Sequence, residues 1–256
     1  MTTLTGTELA DKDTLVVGGT GNVGYYLVDG FLRAGSTRVL VPSRSPEKIE
    51  QLKARLGSDK ARRVIAVPGD IGSADGAESL RSRVGHLTDG LHAVAASPAS
   101  WHQNSSMLAA GFADFRHVME TRLFPHFLAA EAFLPLLTAE GAYTTINGPA
   151  GFSGPPQRGV GAISVAASAQ NKLMQAFAVE TGGRPRVNDV IMWAFIGPRG
   201  TRAGSPLAGE QVGDFVASLS SRLGAGVHGL TIPLRTAEQI EDALEGRFPA
   251  GQGPSR

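Results

Sequence analysis

A short apolar run, a turn and a stretch of helical composition recur along the whole chain, and this alternation constrains the fold more than any other feature. Residues 14–17, 38–41, 63–67, 91–95, 143–146, 186–193 and 230–232 read as strands. Residues 25–33, 46–56, 77–84, 107–137, 163–180, 212–223 and 237–244 read as helices, the longest bent at Pro125. Strands that are continuous apolar runs rather than alternating ones belong to a parallel sheet covered on both faces. The expectation is a single α/β domain over 1–256: a doubly wound parallel sheet of about seven strands, with 1–12 as an N-terminal extension and 251–256 as a frayed tail.

Composition narrows the function classes. With 24 Lys+Arg against 23 Asp+Glu the net charge is +1. The basic excess of nucleic-acid or membrane-surface proteins is absent, so neither partner is expected. No cysteine is present, which excludes disulfides, thiolate catalysis and Cys-ligated zinc. The six histidines, at 86, 92, 102, 117, 126 and 228, show no paired ligand spacing, and no metal is expected. No apolar run approaches the roughly 18 residues of a membrane span. Residues 1–13 carry neither a basic region nor an apolar one, so the expected address is cytoplasmic.

The first strand runs directly into Gly18-Gly19-Thr20-Gly21-Asn22-Val23-Gly24 and then a helix. Glycine spaced Gly-x-x-Gly-x-x-Gly lets the backbone turn tightly at a helix N-terminus, where unpaired N–H groups face a pyrophosphate. An ordinary strand–helix turn is the alternative. The second strand ends in Ser43-Arg44-Ser45 with no acid, which favours a 2′-phosphate over a free ribose and hence NADP(H) over NAD(H). Asp70, in Gly69-Asp70-Ile71, either accepts from an adenine amino group or caps a turn.

These segments resemble the short-chain dehydrogenase/reductase family. The likeness runs from about residue 14 to 234 and is carried by the Gly18/Gly21/Gly24 loop, Arg44, Gly69-Asp70-Ile71, the segment 127–137, Ala176-Phe177-Ala178-Val179-Glu180 and Arg186-Val187-Asn188. The glycine spacing is that of extended or atypical members. The resemblance implies a Rossmann-like sheet and an oxidoreductase. It puts Ala95, at the end of the fourth strand, and Ile196, after the sixth, beside the cofactor together with Gly18, Thr20, Gly21, Asn22, Val23 and Gly24. Ser43, Arg44, Asp70 and Ile71 would hold the adenosine half. It also implies a homodimer or homotetramer formed through the long helix and the 163–180 helix.

Family members use a Tyr, a Lys four residues later, a Ser and an Asn. Counting back from Glu180 and Val187-Asn188, the Tyr position falls on Ile163, the Lys on Ala167, the Ser on Gly148 and the Asn on Arg122. A second register, with Ser168 and Lys172 as the dyad, needs a deletion inside a packed helix. The chain's tyrosines, at 25, 26 and 143, lie elsewhere. Three residues remain as chemical candidates. His102 is a proton donor on the loop after the fourth strand, Arg122 a cation for an oxyanion or carboxylate, and Asn147 a polar neighbour of the missing Ser. Each has a structural alternative: a loop histidine, an ion pair with Glu120, a packing amide. The resulting expectation is an NADP(H)-dependent oxidoreductase acting on a small carbonyl or alcohol through a non-standard proton donor. A redox-silent NADP(H) sensor, and a non-redox enzyme such as an isomerase, dehydratase or cyclase, are the alternatives.

Overall fold

The computed structural model describes residues 3–99, 101–152 and 154–249. The tail expected at 251–256 and Ser153 lie outside the described residues. Seven strands form one parallel sheet: β1 (Asp13–Val17), β2 (Arg38–Ser43), β3 (Val64–Pro68), β4 (Leu91–Ala96), β5 (Leu137–Asn147), β6 (Arg186–Met192) and, after a two-strand hairpin, β9 (Thr231–Leu234). Their order is β3-β2-β1-β4-β5-β6-β9. The hairpin, β7 (Ile196–Gly197) and β8 (Gly200–Thr201), is antiparallel and separate from the sheet. The doubly wound expectation is met: the central strands are buried on both faces and the parallel strands are joined through helices.

The helices divide between the faces. On one side α1 (Asn22–Arg33), α2 (Pro46–Leu56), α8 (Gly209–Ser220) and α9 (Ala237–Leu244) bury Leu27, Phe31, Ile49, Phe215 and Ile240 against Val16, Val39 and Val41. On the other α4 (Ala74–Gly85), α6 (Phe124–Phe133) and α7 (Gly161–Thr181) bury Leu80, Phe133 and Met174 against Leu15, Leu40 and Tyr143. A four-residue helix, α3 (Ser58–Ala61), links α2 to β3. The N-terminal extension is anchored rather than loose: Leu9 is fully buried and its N–H donates to Ala34 O.

The long helix expected over 107–137 is instead four pieces. α5 (Met107–Val118) contains Gly111 at φ 78°, a single non-helical residue. A π-helical turn spans Met119–Leu123, α6 follows, and Leu134–Leu136 closes as a 3-10 turn. Pro135 removes an N–H and crowds the preceding turn, so the helix stops at Phe133. β5 therefore starts at Leu137, six residues before the expected start, and pairs with Leu91 before a register shift to Ala93. No helix among the described residues is long and apolar enough to cross a membrane.

Candidate active site

Ligand crevices in open α/β sheets lie beyond the carboxyl ends of the strands, where neighbouring connections diverge. Here β1 pairs with β2 on one side and β4 on the other, so the crevice opens over the end of β1. The turn there is closely fitted. Gly18 adopts φ +76°, and a Cβ on it would lie 2.4 Å from Ser97 O. A Cβ on Gly24 would lie 2.0 Å from Gly18 O. Both glycines fold the turn onto itself and onto the β4 loop, which leaves Gly21 and Asn22 exposed at the start of α1. The helix begins at Asn22, three residues before the expected start, with Gly21 as an N-cap that offers no side-chain oxygen and with no acid in the first turn. Its first N–H groups and the positive end of its dipole are free for an anion, and a pyrophosphate fits that chemistry.

Thr20 and Val23 are half-buried beside this turn. Ala95 is fully buried in the sheet core, paired with Val16 on one side and Thr144 on the other. Arg44, 75% exposed, projects from the end of β2 with its guanidinium 3.5 Å from Asp70. Asp70 Oδ1 also accepts from Gly72 N at 2.9 Å, so this carboxylate closes a turn as well as facing Arg44. Ser43 gives its hydroxyl to Ser45 O, and Ser45 accepts from Lys48 N as the cap of α2. Of this trio, among the described residues, only Arg44 makes no side-chain hydrogen bond, its exposed guanidinium meeting Asp70 alone, at 3.5 Å. Ile71 packs on the core, and Ile196 forms the start of the hairpin.

The region where the family's Tyr and Lys would stand is apolar and filled. Ile163 is 2% exposed and packs with Val118, Val160, Ala162 and Ala166. The turn after β5 closes on the neighbouring helical position: a Cβ on Gly151 would lie 3.0 Å from Ala167 Cβ and 2.8 Å from Ser168 N. A lysine at 167 would displace that turn. Ser168 donates to Gly151 O, and exposed Lys172 donates to Gln175. These two residues serve local contacts rather than a dyad.

Asn147 is not open to a substrate. It is buried, donates to Ala167 O at 2.9 Å and Asp189 Oδ2 at 3.1 Å, and accepts from Gly148 N. It belongs to a network that sequence reasoning missed. Fully buried Asp189 takes Thr145 Oγ1 and Gln170 Nε2 on one oxygen, and Asn147 and Asn171 Nδ2 on the other. Burial pushes this carboxyl up, against the pull of those donors. The available signal was the polar triplet Arg186, Asn188 and Asp189 in a strand with the sequence of a buried one, with Gln170-Asn171 on the preceding helix.

His102 does sit on the connection leaving β4. Its Nε2 is 2.9 Å from Asp114 Oδ1, out of line for a hydrogen bond. Asn104 Nδ2 holds the other carboxylate oxygen at 2.7 Å, and the His117 ring stacks edge-on 6.2 Å away. Asn104 N in turn donates to Gly159 O, tying this loop to the one after β5. The arrangement sets an imidazole beside a carboxylate on the connection leaving β4.

Arg122 lies in the π-helical turn, half-buried, with its Nε unpartnered. The ion pair expected with Glu120 is not made: Glu120 faces Arg116 at 3.5 Å. One turn on, His126 is fully buried, and neither ring nitrogen has a partner. Burial, and then the charge of Arg122, hold its pKa down to about 3. A depressed base stabilises the fold above its unfolded value, near 6.5, and that stability is lost as pH falls toward 3. At pH 5 the loss is about 2 kcal/mol. His126→Leu should flatten the fall in melting temperature between pH 7 and pH 4; an unchanged acid limb would show that the imidazole is not charging there.

The family model described as short chain dehydrogenase matches residues 12–192. A curated protein of the fungus Macrophomina phaseolina, the short chain dehydrogenase/reductase dpmpG, is 33% identical over 78 residues, which is 30% of this chain and 44% of that relative. The chain therefore matches less than half of that relative's length. Among solved structures, a dehydrogenase/reductase of Sinorhizobium meliloti superposes with a TM-score of 0.78 at 21% identity, covering 90% of this chain and 96% of that one. A Pseudomonas aeruginosa protein described as an RhlG/NADP active-site complex superposes at 0.76 and 24% identity, covering 89% and 96%.

Proposed function

The chain belongs to the short-chain dehydrogenase family, and from that membership we propose that it is an NADP(H)-dependent oxidoreductase of small carbonyls or alcohols, working in the cytoplasm. The exposed, uncapped start of α1 above β1, with the exposed Arg44 at the end of β2, carries this reading. The α1 N–H groups hold the pyrophosphate and Arg44 a 2′-phosphate. The reduced cofactor, when bound, supplies a hydride. Arg122 provides fixed positive charge for an oxyanion or a carboxylate of the substrate, and His102, beside Asp114, gives the substrate oxygen its proton. Asn147 takes no chemical part, since its amide is spent on Asp189 and Ala167. Apolar side chains exposed on α5, α6 and α7, among them Leu108, Phe112, Phe127 and Val179, support assembly into a homodimer or homotetramer through that face.

Calorimetric titration with NADPH and NADH tests the nucleotide half. NADPH should bind the tighter, and Arg44→Ala should weaken it by roughly 10- to 100-fold, the value of a charge-assisted phosphate contact. Binding of neither nucleotide would sink the proposal. Tight NADPH binding with no turnover across a carbonyl panel would favour the redox-silent sensor, a reading supported by the apolar fill around Ile163 and Ala167.

A further inference from the structure

We propose that Arg122, backed by the fully buried ring of His126, is the recognition group for a substrate carboxylate, so that the substrate is an anionic carbonyl compound such as an oxo acid. The proposal deepens the reductase reading and rests on it. Strand direction and helix direction place the pair. α6 runs back antiparallel to β4 and β5, and its far end packs Ala129, Ala130 and Phe133 against Val94 and Tyr143 of those strands. Val118, Arg122, His126, Ala129 and Phe133 follow one another at three- or four-residue steps, and all but Arg122 are fully buried. They form an inward stripe. Arg122, N-terminal to the residues that pack on those strands, therefore sits toward the carboxyl edge of the sheet, where the crevice opens.

The chemistry of the pair is incomplete without an anion. A guanidinium drawn partly out of water loses hydration that a counter-charge normally replaces. Among the described residues no hydrogen bond or ion pair reaches the Arg122 guanidinium. The nearby acids are committed elsewhere: Glu120 to Arg116, Asp114 to His102 and Asn104, Asp189 to its amides. His126 adds a fully buried ring with two unused nitrogens. A π-helical turn carries Arg122, and such turns recur at functional sites because they re-aim a side chain. A permanent charge and a planar fork of donors match a permanent, planar carboxylate. An oxyanion that exists only in passing would leave the guanidinium uncompensated in the resting complex.

The wall beside the pair fits the remainder of such a molecule. Phe115, Met119 and Leu123, only partly buried where they pack on the filled cluster, give an apolar surface for a short carbon chain.

The test uses the whole chain saturated with NADP⁺, titrated with acetate, 2-oxobutanoate and benzoate and with the neutral amide of each. At least one carboxylate should bind tenfold or more tightly than its amide. Arg122→Gln should erase that difference while NADPH affinity stays within twofold of wild type. Arg122→Lys, which keeps the charge and loses the fork, should fall between the two and serves if the Gln variant does not fold. Equal binding of carboxylates and amides, no binding of any carboxylate, or an undiminished preference in Arg122→Gln would each overturn the proposal. An oxyanion-only role would show itself as a lowered kcat without ground-state carboxylate binding, which also overturns it. Loss of NADPH binding by the wild-type protein would instead mark failure of the underlying reductase reading.

Discussion

Asp189→Ala should lower the unfolding free energy by about 3–5 kcal/mol, because four buried neutral donors lose a shared acceptor. Four donors converge on this carboxylate, from β5 and α7: Thr145, Asn147, Gln170 and Asn171. Three of them keep a second acceptor, namely Ala167 O, Ile146 O and Thr231 Oγ1. The truncation would thus leave one N–H on each amide, and the Thr145 hydroxyl, dry and unpaired. Each unmade bond of this kind costs about 1–3 kcal/mol. Removing a buried charge works in the other direction and keeps the sum from reaching the full total. For a chain of this size the melting temperature should drop by roughly 10 °C. The pH dependence has a definite sign. The folded carboxyl is raised by burial, so its stabilising contribution is complete below the ordinary carboxylate range, near pH 4, and declines as pH rises through the folded value. The deficit of the Ala variant should narrow accordingly from pH 4 to pH 7. Melting within about 2 °C of wild type would mean that the network is a bystander.

His102→Asn should reduce kcat by about 10²- to 10⁴-fold, the usual contribution of a positioned proton donor. NADPH binding should not change, because the phosphate contacts proposed above come from the start of α1 and from Arg44, not from His102. Asp114→Asn should produce a smaller loss in the same parameter. It leaves the imidazole in place and removes only the charge that orients it, at 2.9 Å. A kcat within threefold of wild type in His102→Asn would assign the proton to another group and return His102 to the status of a loop residue.

Both predictions concern residues whose importance was unevenly legible. His102 was visible as a histidine on a strand-end loop, but Asp114 was not, since its partner lies across the α5 connection rather than at a helical spacing. Asn147 was visible as a polar neighbour of a missing serine, and its position invited a chemical role. Packing gave it a different one, because the strand pairing Thr145–Asp189 and the facing helix enclose its amide completely. Arg122 was found by counting back along the chain, yet the count could not tell that Glu120 turns to Arg116 or that a π-helical turn re-aims the side chain.

The sheet, its strands and the glycine turn followed from the sequence alone. Apolar runs of strand length, glycines at three-residue intervals and helical stretches between them are local patterns, and hydrophobic burial permits few arrangements of them. The early start of β5 and the breaks at Gly111 and 119–123 did not follow. A strand begins where a neighbour offers hydrogen bonds, and Leu91 offers them to Leu137 only in the folded sheet. The same distinction governs the site. Residue identity fixed which groups could carry charge or a proton, whereas their freedom to do so depends on whether a partner reaches them. Asn147 is saturated and Arg122 is unpartnered for that reason, and only contacts between segments far apart in the chain could decide it.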